Sequence, residues 1–171
     1  AESKKESKII KIETPTILNP IFSVQDNGVG MSYDDLINVY SKYGASTKQN
    51  NFDQVGAYGL GAKSPLAYTN QFTVSSVKNG EKTTVLIVRE EMTNYMKIID
   101  KQPTDDESGT KISVPVNTVD IERFSETAAL YRGAPVDYNS KIYLNGDEIS
   151  NEFSLVSSNL KLAKNNEQFV T

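Results

Sequence analysis

The sequence contains no cysteine and no histidine. Their absence removes disulfides, thiolate nucleophiles, His-based triads and His/Cys zinc sites together. Acid–base chemistry would fall to carboxylates, lysines and tyrosines. No run approaches the ~18 apolar residues of a membrane-crossing helix, and no signal peptide is visible. The formal net charge of −4 carries no excess of positive charge, so there is no specific nucleic-acid signal. Membrane association is not readable from the sequence, and no internal repeat or low-complexity tract occurs. What is present suits one globular domain with a real core: 171 residues, 23% charged and 37% hydrophobic.

Periodicity and turn residues divide the chain in order. Residues 1–8 are polar and highly charged, and are expected to be frayed. Ile9, Ile10 and Ile12 suggest a strand, interrupted by the Pro15 and Pro20 region. Ile21-Phe22-Ser23-Val24 predicts a second strand, running into the turn Asp26-Asn27-Gly28-Val29-Gly30. Ser32 with Asp35 three residues on resembles a capping box. Tyr33, Leu36, Ile37, Tyr40 and Tyr43 then recur at helical spacing, up to a stop at Gly44. Residues 45–54 are polar and aperiodic and predict a mobile loop. Leu66, Ala67 and Tyr68 finish a short helix beyond it.

Gln71–Lys78 and Lys82–Arg89 predict a hairpin about Asn79-Gly80, with Tyr95–Ile99 as a third strand. The acidic loop Thr104–Ser108 leads through Gly109-Thr110 into a strand over Lys111–Val116. Asn117 and Asp120 predict the start of a helix with apolar face Ile121, Phe124, Ala128 and Tyr131, ended by Gly133. Lys141–Leu144, Asn145-Gly146 and Glu148-Ile149 read as a second hairpin, while residues 153–171 carry only weak amphipathic signals. Hairpin-linked strands beside a few helices predict an α+β fold: a two-layer sandwich of a mixed, mainly antiparallel sheet covered on one face by helices. The domain is expected over residues 1–150, with 151–171 an extension or the start of a following segment.

Chemistry concentrates in Val55-Gly56-Ala57-Tyr58-Gly59-Leu60-Gly61-Ala62-Lys63-Ser64-Pro65. Glycines that open a helix let the backbone approach an anion and aim free N–H groups at it. A P-loop is nearly matched, but Ala62 separates Gly61 from Lys63, and the polar residues 48–54 cannot supply the buried strand that must precede it. A Rossmann site fails because neither Gly28-x-Gly30 nor Gly59-x-Gly61 has the third glycine in place. Nothing specifies a metal site from Asp34, Asp35 and Asp53. Taken singly, Asp26 reads as a turn residue, Lys63 as a solvated lysine and Thr110 as a strand threonine.

The ordered combination reverses those readings. Asp26-Asn27-Gly28-Val29-Gly30, a helix, a polar loop, Gly56-Ala57-Tyr58-Gly59-Leu60-Gly61 and then Gly109-Thr110 resemble the GHKL, or Bergerat-fold, ATP-binding superfamily. Its members include gyrase B, the ninety-kilodalton heat-shock chaperone, sensor histidine kinases and MutL. The resemblance implies ATP and Mg²⁺ as cofactors. By it, Asp26 would accept a hydrogen bond from the adenine amino group, Gly28 and Gly30 would leave room for the base, Met31 would line its pocket and Thr110 would support adenine recognition. Gly56, Gly59, Leu60, Gly61 and Ala62 would carry the phosphates, with Lys63 adding a point charge. Ser46, Thr47 and Lys48 resemble a lid tripeptide that turns toward the phosphates.

A closer similarity, over roughly residues 9–150, is to the rIIA-like proteins of bacteriophages. It is carried by Asp26-x-Gly-x-Gly-Met-Ser, Ser46-Thr47-Lys48, Gly59-Leu60-Gly61-Ala62-Lys63-Ser64-Pro65, Tyr68-Thr69, Phe72-Thr73-Val74, Gly109-Thr110-x-Ile112-x-Val114-Pro115-Val116 and Leu144-Asn145-Gly146. It implies the cytoplasm of an infected bacterial host, at the membrane periphery or free of it. Self-association or a phage or host protein partner is implied with it.

The superfamily's catalytic Glu and Mg²⁺-binding Asn lie on a helix before the first glycine box, and residues 1–25 supply no such pair. Asp34 and Asn38 have the spacing but follow that box, so they read as exposed helix residues. The resemblance therefore implies that the helix precedes Ala1, and that this chain is a fragment or cut product with weak or no ATP hydrolysis. The expected function is an adenine-nucleotide-binding domain that switches by closing a lid over residues 44–55. The alternative is a degenerate interaction module that binds no nucleotide. A phosphotransfer partner is disfavoured by the absence of a phosphoacceptor histidine.

Overall fold

The computed structural model describes residues 8–40, 60–90, 93–130 and 140–149. Among these residues eight strands form one sheet: β1 Lys8–Glu13, β2 Ile21–Asp26, β3 Gln71–Lys78, β4 Glu81–Glu90, β5 Thr93–Pro103, β6 Gly109–Pro115, β7 Ser140–Leu144 and β8 Asp147–Ile149. Their order across the sheet is β5-β4-β3-β6-β2-β1-β7-β8. Every pairing is antiparallel except that of β1 with β7. The helices are α1 Tyr33–Tyr40, the single turn α2 Leu60–Lys63 and α3 Ile121–Leu130.

Local chemistry explains the sharp connections. β3 and β4 are joined by Asn79 and Gly80 alone, at φ 54° and 73°, and β7 and β8 by Asn145 and Gly146 at 53° and 91°. Positive φ at both central residues is the turn whose twist matches two antiparallel strands, and Asn-Gly is the pair that adopts it. Asn145 also closes the sheet over a long range. Its Oδ1 accepts the Thr14 N–H at 2.9 Å and its own N–H donates to the Ile12 carbonyl at 2.9 Å. This seats the β7–β8 turn on the end of β1.

Alternation puts one set of side chains on each face. Val24, Ile112, Val74 and Val85 form one row across four strands, each in register with the next. Leu36, Val39 and Tyr40 of α1 are buried on that face with Phe72, Val74, Val85, Ile87, Val114 and Leu66. Burying a side chain of this size is worth about 1.5–3 kcal/mol, so this layer holds α1 on the sheet. α3 joins it through Phe124, whose ring lies 5.4 Å from Phe22 and 5.0 Å from Tyr68. The opposite face is polar here: Ser23 donates to Glu13 at 2.8 Å, Lys111 reaches the same carboxylate at 3.0 Å, and Thr84 donates to Ser75 at 3.0 Å. The fold is the expected two-layer α+β sandwich.

Some boundaries differ. β5 runs to Pro103 rather than ending at Ile99, because its register with β4 shifts between Thr84 and Val85 and then continues to Glu81↔Pro103. Asn117 does not cap α3 through its side chain. A 3-10 turn over Thr118–Asp120 comes first, and the Asn117 N–H donates to the Tyr68 hydroxyl at 3.0 Å. Gly44, Tyr131 and Gly133, proposed as helix ends or faces, lie outside the described residues, as do 1–7 and 150–171.

Candidate functional site

Two residues beyond the apolar row, the same face turns polar. Asp26 pairs with Thr110, Thr110 with Ser76 and Ser76 with Thr83, in register across β2, β6, β3 and β4. Exposure grades along this row: Ser76 and Thr83 are fully buried, Thr110 is half-buried and Asp26 is exposed. A carboxylate and a hydroxyl thus stand side by side at the rim of the core, on a rigid sheet.

The turn after β2 folds back over this end. Asp26 Oδ1 accepts the Gly28 N–H at 2.8 Å, the Asx turn that Asp-x-Gly sequences favour. Oδ2 makes no hydrogen bond among the described residues. The loop then dives against β3, where the Met31 N–H donates to Ser76 Oγ at 2.8 Å. Two glycines make that approach feasible. Gly30 sits at φ 68°, and a Cβ there would overlap the Val77 carbonyl oxygen. A Cβ on Gly109 would overlap the Asp26 carbonyl oxygen. Both are requirements of close backbone packing, which the sequence could show only as glycines of unstated purpose.

α1 is fastened beside this loop. Ser32 Oγ accepts the Asp35 N–H at 3.2 Å, while Asp35 Oδ2 accepts the Ser32 N–H at 2.9 Å and its hydroxyl at 2.8 Å. This is the reciprocal capping box. Lys78 Nζ lies 2.6 Å from the same carboxylate oxygen, and that contact, with the Ser32 bonds, pulls the Asp35 pKa down from 3.8 to about 2. At the other end of α1, burial raises the Tyr40 phenol pKa above its ordinary value, and the Asp26 charge adds to the shift. Tyr40 therefore lies within electrostatic reach of the site.

Of the second glycine box, Leu60–Lys63 form α2, followed by a 3-10 turn over Ser64–Ala67 with proline at its start. Ser64 Oγ donates to the Gly61 carbonyl at 2.8 Å. Ala62 packs on the core, and burial lowers the Lys63 pKa. Gly61 has no described atom within 4 Å of where a Cβ would stand.

The structure thus brings together Asp26, Gly28, Gly30, Met31 and Thr110, and places Gly61, Ala62 and Lys63 on a helical turn against the same core. Ser46, Thr47, Lys48, Gly56 and Gly59, with the expected lid 44–55, lie outside the described residues. Asp34 and Asn38 are exposed on α1, and no group of three potential metal ligands gathers among the described residues. Sequence reasoning missed Ser76. The signal was available: in Phe72-x-Val74-x-Ser76 the hydroxyl falls on the inward beat of a buried strand, where a polar group needs partners.

Comparison with curated proteins finds no match. Among solved structures, the ATPase and transducer domains of DNA topoisomerase II from Balamuthia mandrillaris superpose with TM-score 0.65 at 16% identity, covering 88% of this chain and 44% of that one. The ATPase region of Saccharomyces cerevisiae topoisomerase II gives TM-score 0.64 at 14% identity, over 88% and 46%. The same region bound to ICRF-187 (dexrazoxane) gives 0.64 at 15%, over 90% and 47%. The chain spans less than half the length of these structures, and the likeness at such identity is one of fold. Residues 3–122 match the family described as histidine kinase-, DNA gyrase B-, and HSP90-like ATPase. That stretch is more than half of the sequence and includes the Asp26 turn, the α2 segment and Gly109-Thr110, and the chain belongs to this family.

Proposed function

We propose that this chain is an adenine-nucleotide-binding domain of a bacteriophage rIIA-like protein, in which ATP drives closure of a lid. The observation that carries the nucleotide reading is the register of Asp26 with Thr110 on the helix-covered face. An ionised carboxylate is acceptor-only, so Asp26 suits an exocyclic amino group and repels a carbonyl. Gly28, whose Cβ would stand 2.8 Å from Asp26 Oδ1, leaves the carboxylate's neighbourhood open to a flat base. Gly61, with no described atom near its missing Cβ, and the partly desolvated Lys63 fit a polyanion. These residues fit the base and phosphates of ATP.

Mg²⁺ is assigned no ligands among the described residues. It would arrive with the triphosphate, as this ion commonly does, and neutralise its charge. Asp26 would orient the base, α2 and Lys63 would meet the phosphates, and the segment 44–55 would close over them. Hydrolysis is assigned to the intact protein, with the host cytoplasm as its place of action and a phage or host protein, or a second copy, as its partner.

Calorimetry with AMPPNP, with and without Mg²⁺, tests the reading. Saturable binding that is lost in Asp26→Asn is expected. Absence of binding by the wild-type chain, and by the intact protein, would sink it.

A further inference from the structure

Ser76 is fully buried, and its one hydroxyl touches three groups from two segments. It accepts the Met31 N–H at 2.8 Å, donates to the Gly109 carbonyl at 3.0 Å and lies 2.9 Å from Thr110 Oγ1. A serine has one proton. With that proton on the Gly109 carbonyl, the Ser76–Thr110 contact can be made only by the Thr110 proton pointing inward. Thr110 then shows lone pairs, and no donor, to its other neighbours. Beside it in the row stands Asp26, also an acceptor.

We propose that Ser76 is a positioning residue that locks the Thr110 hydroxyl as an acceptor and so sets adenine-over-guanine selectivity. The inference rests on the adenine-nucleotide reading above. Adenine offers an amino donor where guanine offers a carbonyl acceptor. A Thr110 hydroxyl free to turn could donate to guanine, whereas one held by Ser76 cannot. Asp26 alone would still favour the amino group, so the lock adds to the discrimination.

The test compares AMPPNP and GMPPNP affinities for the wild-type chain, Ser76→Ala, Thr110→Val and the double variant. Ser76→Ala is expected to lower the AMPPNP:GMPPNP affinity ratio about tenfold, the worth of one hydrogen bond to a ligand. A folding defect alone would weaken both ligands alike and leave the ratio unchanged. Thr110→Val is expected to lower the ratio as well, and adding Ser76→Ala to it should change the ratio no further. If Ser76→Ala does not fold, Ser76→Cys, close in volume but a weak donor and acceptor, carries the same expectation. An unchanged ratio in folded Ser76→Ala or Ser76→Cys, or in Thr110→Val, overturns the lock while leaving the nucleotide reading intact. A wild-type chain with no preference for AMPPNP overturns both.

Discussion

Lys78 Nζ stands 2.6 Å from Asp35 Oδ2, so one cation fastens the first turn of α1 to the end of β3 across 43 positions of sequence. The carboxylate serves helix and sheet at once, closing the Ser32 capping box and pairing with Lys78. The pair is about a third exposed, which limits its Coulomb contribution by solvent screening.

Asp35→Asn is expected to destabilise the fold by about 1–2 kcal/mol near neutral pH, combining a weakened cap with a partly screened ion pair. The folded-state pKa is depressed from 3.8 to about 2. The stabilisation is therefore present above the unfolded value and lost as pH falls through the folded one. Urea unfolding of wild type and variant should converge between pH 4 and 2. A stability gap at pH 2 as large as that near neutral pH would contradict the assignment.

Tyr40 predicts the opposite limb. Burial raises its phenol pKa above the ordinary 10.0, so the unfolded chain releases this proton first as pH rises. Stability should fall above that value, with a contribution of about 1.4 kcal/mol per pH unit from this group. Tyr40→Phe should flatten that part of the alkaline unfolding profile. An identical alkaline slope in the variant would show that the phenol does not titrate as described.

Gly30 and Gly61 should behave oppositely. Gly30→Ala meets both a positive φ and the Val77 carbonyl, and is expected to cost roughly 2–4 kcal/mol. Gly61→Ala meets no described atom within 4 Å and stands on a helical turn, where alanine is favoured over glycine by about 1 kcal/mol. Its melting temperature should hold or rise while AMPPNP affinity falls, because a bound phosphate would meet the new methyl group. Gly61→Ala with unchanged affinity would remove this glycine from the phosphate site.

Tyr68→Phe deletes one hydroxyl that donates to Asp120 Oδ2 at 2.7 Å and accepts the Asn117 N–H at 3.0 Å. A loss of about 1–2 kcal/mol is expected, since two polar groups lose a partner near the start of α3. Hydrogen exchange should be faster at Asn117 and across the first turn of α3, with β3 unaffected. Uniform acceleration would instead mark a global effect.

Local signals in the sequence carried far. Asn79-Gly80 and Asn145-Gly146 specify their turns through backbone geometry that few other pairs adopt, so both hairpins were legible. Ser32 and Asp35 specify a helix start by reciprocal bonding, and Asp26-x-Gly-x-Gly by its Asx turn. The parallel placement of β1 against β7 was not legible, because it joins Lys8–Ile12 to Ser140–Leu144, strands far apart in the sequence with no turn between them to signal the pairing. The helical segment does start after Asn117, as the sequence indicates, but through a 3-10 turn and without the side-chain cap. Asn117 has the right type for a cap, but a tertiary contact with Tyr68 engages its backbone instead. At the site, Asp26 and Thr110 could be named from their motifs, whereas Ser76 belongs to no motif and is defined by the three groups converging on it.

The β1–β7 pairing sets an order on assembly. β1 lies between β2 and β7, and Thr14 and Asn145 are 131 positions apart. During synthesis β1 can pair with β2 almost at once, yet its other edge stays open until most of the domain has left the ribosome. An open strand edge invites pairing with a neighbouring chain. Nascent copies on one messenger would be most prone to join by that edge until β7 arrives to cover it.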